Sequence, residues 1–239
     1  MKNVLLCAIG VGGATVIGTI VGFVFRTWAR KYSGAITAIA AGVMLYAAFS
    51  GLIIPAFDND GLGEIALAIA GLVAGAVCIR LAERIMPEKS RTGSAYSALL
   101  LAIAMAVHNL PEGIAAGLSF GGGSIGDAMA VTLGIALHNL PEGMITVFPM
   151  ISAGMRPCRA LILSLSVAAA EIAGTLFGYF ASSIALPLLP FTLAFAGGTM
   201  LFVITSELLP ENTAESGGRA PFLVILGACA MGVLGALIS

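Results

Sequence analysis

The sequence predicts an all-α, polytopic membrane protein, and three observations carry that prediction. Of the 239 residues, 59% are hydrophobic and only 10% charged, giving a mean hydropathy of +1.06, far outside the range of a water-soluble domain. The apolar residues fall in runs of about 20, the length a helix needs to cross the hydrocarbon core. Those runs lack the two-residue alternation of barrel strands, the other structure a bilayer admits. Finally, the basic residues gather in alternate connections between the runs, as they do when a chain crosses a membrane repeatedly.

Division at charges, prolines and glycine clusters gives eight expected spans, at residues 3 to 25, 34 to 57, 62 to 82, 95 to 120, 127 to 150, 160 to 183, 189 to 210 and 220 to 238. The first follows Lys2 and reaches Phe25 before Arg26, Arg30 and Lys31. It lacks a convincing cleavage box and reads as a membrane helix rather than a signal peptide. In the third, Glu64 and Arg80 leave a short uncharged middle, so their stems must snorkel. The run from 160 to 210 is too long for one crossing, and Pro187 with Pro190 marks its break. The whole chain, 1–239, reads as a single transmembrane domain.

Nine of the eleven Lys and Arg residues fall in the odd-numbered connections and Arg80 lies at the adjoining end of the third span, so that only Lys2 is on the other side. By the positive-inside rule those connections are cytoplasmic and both termini are extracytoplasmic. The net charge of -1 says nothing by itself about partners, and no basic tract suggests nucleic acid. Cys7, Cys78, Cys158 and Cys229 have no ligand-type spacing and read as small buried or interfacial thiols.

The fourth and fifth spans carry the same hexapeptide, His108-Asn109-Leu110-Pro111-Glu112-Gly113 and His138-Asn139-Leu140-Pro141-Glu142-Gly143, which contain both histidines of the protein. An ionisable side chain at membrane depth costs roughly 2.5 to 3.5 kcal/mol on insertion scales, so it demands a reason. On a helix, His and Glu four residues apart differ by only about 40° and share a face. Antiparallel packing of the two spans brings His108, Glu112, His138 and Glu142 onto one cation, with Asn109 and Asn139 on the flank. A second ion there shares the glutamates as bridges. Pro111 and Pro141 free the carbonyls of Val107 and Leu137, and Gly113 and Gly143 allow close backbone approach.

Glu171 is the only charge in the middle of the sixth span, among small residues, and reads as a third carboxylate. Met44 offers a thioether, although packing is the better reading for an isolated methionine, and Met200 is treated alike. Asp58, Asp60 and Glu64 at the outer mouth, with Glu207 and Glu211 at the inner one, are placed to attract cations. Gly42-Val43-Met44-Leu45 with Ser50 and Gly198-Thr199-Met200-Leu201 with Ser206 share one spacing. Under the orientation above these copies run in opposite directions, the build of many secondary transporters.

The doubled motif, the mid-helix Glu171 and the paired Gly-x-Met-Leu segments resemble the ZIP (Zrt-, Irt-like protein) divalent metal transporters, of the bacterial ZupT-like or GufA-like branch. The resemblance covers the whole chain. It implies eight transmembrane helices in a 3+2+3 arrangement, with spans one to three related to six to eight by inverted repeats. It implies metal ligands at His108, Asn109, Glu112, His138, Asn139, Glu142 and Glu171, with Met44 joining the first site in some members. Zn2+ is then the transported substrate, with Fe2+, Mn2+, Co2+ and Cd2+ as alternatives and no organic cofactor. The chain departs from many members in having no histidine between residues 83 and 94.

The expected function is uptake of these ions into the cytoplasm across the cytoplasmic (inner) membrane. Expected partners are divalent metal ions and the lipid bilayer, with a homodimer as the candidate assembly. A membrane metalloenzyme is the competing class, because paired Glu and His on facing helices also build di-iron sites. Those sites use Glu-x-x-His on helices without an internal proline, and the loops here are too short to roof a substrate cleft. A sensor without transport is disfavoured because little chain lies outside the spans.

Overall fold

A computed structural model describes residues 2–26, 32–58, 61–85, 95–121, 125–152, 155–209 and 217–238, and no strand occurs among them. Among the described residues eight long helices follow one another: α1 (Lys2–Val24), α2 (Ser33–Ala47), α3 (Leu62–Ile85), α4 (Ala95–Gly121), α5 (Ile125–Ser152), α6 (Pro157–Ala185), α7 (Leu189–Val203) and α8 (Ala220–Ile238). Their bounds lie close to the expected spans, because glycines, prolines and charges interrupt the apolar runs where helices lose partners. Pro157 opens α6 at a position whose missing N–H is no loss. A 3-10 turn at Leu186–Leu188 divides α6 from α7 at Pro187, as expected.

Two helices end unusually. α2 continues into a π-helical stretch, Ala48–Ile53, and a last turn, Ile54–Phe57. α7 continues into π-helical Ile204–Leu208. Each stretch precedes a proline in the sequence, Pro55 or Pro210, where the regular ladder loses a donor and a wider turn is tolerated. The π-helical stretches start 156 residues apart, the interval that also separates Gly42 from Gly198 and Thr15 from Glu171.

Among the described residues five stretches are long and apolar enough to cross a bilayer: Asn3–Val24, Gly34–Phe57, Leu62–Ala82, Pro157–Ser206 and Ala220–Leu237. The fourth holds 50 residues, enough for two crossings.

The helices pack as two interlocked sets. α1, α4, α5 and α6 lie against one another, whereas α3 pairs with α7 and α2 with α8; the sets meet where α4 touches α7 and α2 touches α5. The apolar core crosses that boundary, joining Val11, Met44, Ala115, Ile135 and Met200. Lipid tails supply no hydrophobic drive between helices, so close backbone packing must hold them. A Cβ at Gly113 would collide with the carbonyl of Glu171, and one at Gly174 with that of Leu110. The same reciprocal contact joins α5 to α1, between Gly143 and the Thr15 carbonyl and between Gly18 and the Leu140 carbonyl. Contacts rise together in number along both helices of each pair, so α4 runs parallel to α6 and α1 to α5.

Away from this junction, a Cβ at Gly75 would collide with the Phe195 carbonyl on α7, whereas nothing lies within 4 Å of one at Gly10. Gly75→Ala is therefore expected to destabilise the protein by about 1–3 kcal/mol, and Gly10→Ala to leave it unchanged. Unfolding in detergent checks the pair, and equal stabilities would contradict backbone contact between α3 and α7.

Candidate metal centre

Three helices deliver acidic and amide side chains to the middle of the first set. Asn109 and Glu112 come from α4, Asn139 and Glu142 from α5, and Glu171 from α6, and all five are 0% exposed. The glycine contacts explain their convergence. Gly113 follows Glu112 and sits on the Glu171 carbonyl, while Gly143 follows Glu142 and sits on the Thr15 carbonyl. The side chains of His108 and His138 lie outside the described set, although both residues are within the helices.

Glu171 is held from two sides. The Asn139 side-chain amide donates from Nδ2 to Glu171 Oε1 and to the Val11 carbonyl at 3.3 Å. Both partners are acceptors, so the amide nitrogen must face them and Oδ1 must turn away. That Oδ1 is buried with no hydrogen-bond partner among the described residues. On the other side Thr15 Oγ1 donates to Glu171 Oε2 at 2.9 Å. Neither Thr15 nor the Val11 carbonyl was expected from the motifs. The signal for Thr15 was present: the 156-residue interval of the Gly-x-Met-Leu pair, carried back to the first span, aligns Thr15 with Glu171.

The two identical motifs differ in their surroundings. Asn139 is committed to Glu171 and Val11, whereas both amide atoms of Asn109 are buried without a hydrogen-bond partner among the described residues. Glu112 and Glu142 are buried on α4 and α5, the helices that pack against α6 and α1, which carry Glu171 and its partner Thr15. Buried carboxyls are stabilised by a divalent cation, and amide and carboxyl oxygens are suitable donors for one. Among the described side chains, no three of the His, Cys, Asp and Glu residues form a complete ligand group. The side-chain oxygens of Asn109 and Asn139 are both buried without a hydrogen-bond partner among the described residues.

Met44 is 2% exposed and belongs to the apolar core with Val11, Ile135 and Met200. Asp58 and Glu64 line a cavity of about 560 Å³ together with Ser50, Ser119, Pro187 and Pro190. Asp60 and Glu211 lie outside the described residues, as does the side chain of Glu207. All four cysteines are free thiols, with Cys7 buried and within 3.2 Å of the Thr132 hydroxyl.

Residues 86–235 match the family model described as ZIP Zinc transporter. The chain is 33% identical over 222 residues to the zinc transporter GufA of Myxococcus xanthus, with 87% of each chain covered. It is 33% identical over 235 residues to the zinc transporter ZupT of Chlorobaculum parvum, covering 87% of this chain and 86% of that one. Similarity extends to the zinc transporter ZIP11 of Bos taurus, at 28% identity over 90% of this chain and 91% of the relative.

The unequal settings of the asparagines have a measurable consequence in metal-free protein. Asn139→Ala strips donors from a buried carboxyl and a carbonyl and is expected to destabilise by about 1–3 kcal/mol. Asn109→Ala removes no hydrogen bond among the described residues and is expected to do less. Thermal unfolding with a chelator present makes the comparison; a larger loss from Asn109→Ala would contradict the asymmetry.

Proposed function

The chain belongs to the ZIP zinc transporter family, and on that premise we propose that it carries Zn2+ and related divalent transition metals across the cytoplasmic membrane into the cytoplasm. It is a transporter and not an enzyme, with the metal ion as its substrate. The observation that carries the assignment of a site is the burial of Glu112, Glu142 and Glu171 beside two asparagine amides at the junction of four helices. His108 and His138 complete the donor set, and the glutamates bridge two ions. Imidazole and carboxylate together suit Zn2+, Fe2+, Mn2+ or Co2+, and suit Mg2+ poorly.

The architecture we assign is eight crossings in a 3+2+3 arrangement, inverted between halves, with both termini extracytoplasmic. Parallel packing of α1 with α5 and of α4 with α6 supports it, because odd-numbered crossings share one direction and even-numbered crossings the other. The constant interval of 156 residues between Thr15 and Glu171, and between the two π-helical stretches, supports the repeat. So does the exchange of contacts that the repeat requires: α4 meets α6 through Gly113 as α5 meets α1 through Gly143. In this orientation the cavity holding Asp58 and Glu64 opens outward, at the α6–α7 turn. Its acidic side chains concentrate cations at the mouth.

Uptake of radioactive Zn2+ into proteoliposomes tests the site. Glu112→Ala and Glu142→Ala are each expected to reduce uptake to background while the protein still inserts and folds. Uptake equal to the unsubstituted protein in both variants would remove these residues from the transport path.

A further inference from the structure

We propose that Thr15, on α1, is a positioning residue for the transported ion: its hydroxyl fixes the Glu171 carboxyl so that the carboxyl meets the metal in one orientation. The proposal rests on the metal-site reading above and adds to it a residue outside both HNLPEG motifs.

Hydroxyls in apolar helices ordinarily turn back onto a carbonyl of their own helix. Ser119, Thr132, Thr146, Thr175 and Thr199 all do so here, each reaching a carbonyl three or four residues earlier. Thr15 does not. It is 1% exposed and donates instead across to the side chain of Glu171 on α6, at 2.9 Å. The carbonyl it would ordinarily use, that of Val11, accepts from Asn139. Asn139 in turn donates to the other oxygen of Glu171. The result is a closed loop: α1 offers a carbonyl and, one turn later, a hydroxyl, and between them stand Asn139 and Glu171. Each part of the loop constrains the others, so the carboxyl cannot rotate without breaking a buried hydrogen bond.

The repeat makes the choice of threonine intelligible. Thr15 occupies the position in the first half that Glu171 occupies in the second, and one turn further along both halves carry threonine, at Thr19 and Thr175. A carboxyl at both matching positions would set two acidic groups against each other beside Glu112 and Glu142. A hydroxyl at one of them converts that repulsion into a hydrogen bond. The halves thus differ at the one place where strict duplication would be unfavourable. Residues that orient metal ligands in this way commonly change metal affinity by about 10–100-fold when removed.

The experiment measures initial Zn2+ uptake against Zn2+ concentration in proteoliposomes containing Thr15→Val, Thr15→Ala, Thr15→Ser, Glu171→Gln and the double variant Thr15→Val/Glu171→Gln. Thr15→Val is expected to raise KM about tenfold with a smaller change in maximal rate, by the ligand-orienting effect above. Thr15→Ala, which adds no bulk, gives the same comparison where the valine variant folds poorly. Thr15→Ser keeps the donor and is expected to behave like the unsubstituted protein. In the Glu171→Gln background, Thr15→Val is expected to raise KM no further, because two residues acting through one bond are not additive.

An unchanged KM in both Thr15→Val and Thr15→Ala would overturn the proposal. So would a serine variant as impaired as valine, which would assign the effect to the methyl group. Independent multiplication of the two defects in the double variant would do the same. Glu112→Ala and Glu142→Ala measured alongside separate the levels of inference. If they abolish uptake while Thr15 is inert, only the positioning role fails. If they leave uptake intact, the assigned site itself fails.

Discussion

The structure depends on burying carboxyl groups in an apolar bundle without leaving them exposed to lipid. A charged group at membrane depth is expensive unless other groups solvate it, so the helices around Glu112, Glu142 and Glu171 must approach until backbone touches backbone. Glycine permits that approach, and its placement is economical in sequence terms: Gly113 and Gly143 each follow a buried glutamate directly. The residue that closes the helix contact and the buried carboxyl are therefore set by the same turn. Moving either helix by one residue along its partner would separate the acidic groups and open the contact at once.

Corresponding glycine–carbonyl contacts supply the scaffold, and unequal side-chain partners distinguish its two sides. α4 on α6 and α5 on α1 use corresponding glycines and carbonyls, which explains how two identical hexapeptides come to occupy equivalent positions. Their environments nevertheless differ. One asparagine holds Glu171, whereas the other keeps both amide atoms without hydrogen-bond partners among the described residues. A site made from equal halves around one axis would offer equal ligands. The hydroxyl of Thr15 anchors Glu171 on one side, and the amide of Asn109 is left without a hydrogen-bond partner among the described residues on the other.

The grouping of helices bears on how an ion reaches this place. The set that carries the glutamates packs internally through α1, α4, α5 and α6, and meets the other four helices over fewer surfaces. The acidic cavity lies where the sets adjoin, with Ser50 and Gly51 from the π-helical stretch on one wall and Ser119 and Val131 on the other. π-helical turns leave carbonyls imperfectly paired and often occur at functional positions. The two stretches start 156 residues apart, the same interval that separates Thr15 from Glu171.

Much of this was legible in the residues themselves. Run length and charge placement determined the helical class and the element bounds, because the bilayer enforces both with little help from neighbouring helices. The doubled hexapeptide marked the candidate ligands, because histidine, asparagine and glutamate at membrane depth have few uses other than holding a cation. Tertiary structure decided which groups touch. Glu171 meets Thr15 across 156 residues and Asn139 across 32, and no local periodicity expresses such separations. It also decided that Met44 sits within the apolar core, and that identical motifs have unequal partners. A sequence repeat states that two segments are alike, but the hydrogen bonds of a buried side chain depend on what the third and fourth helices bring against it.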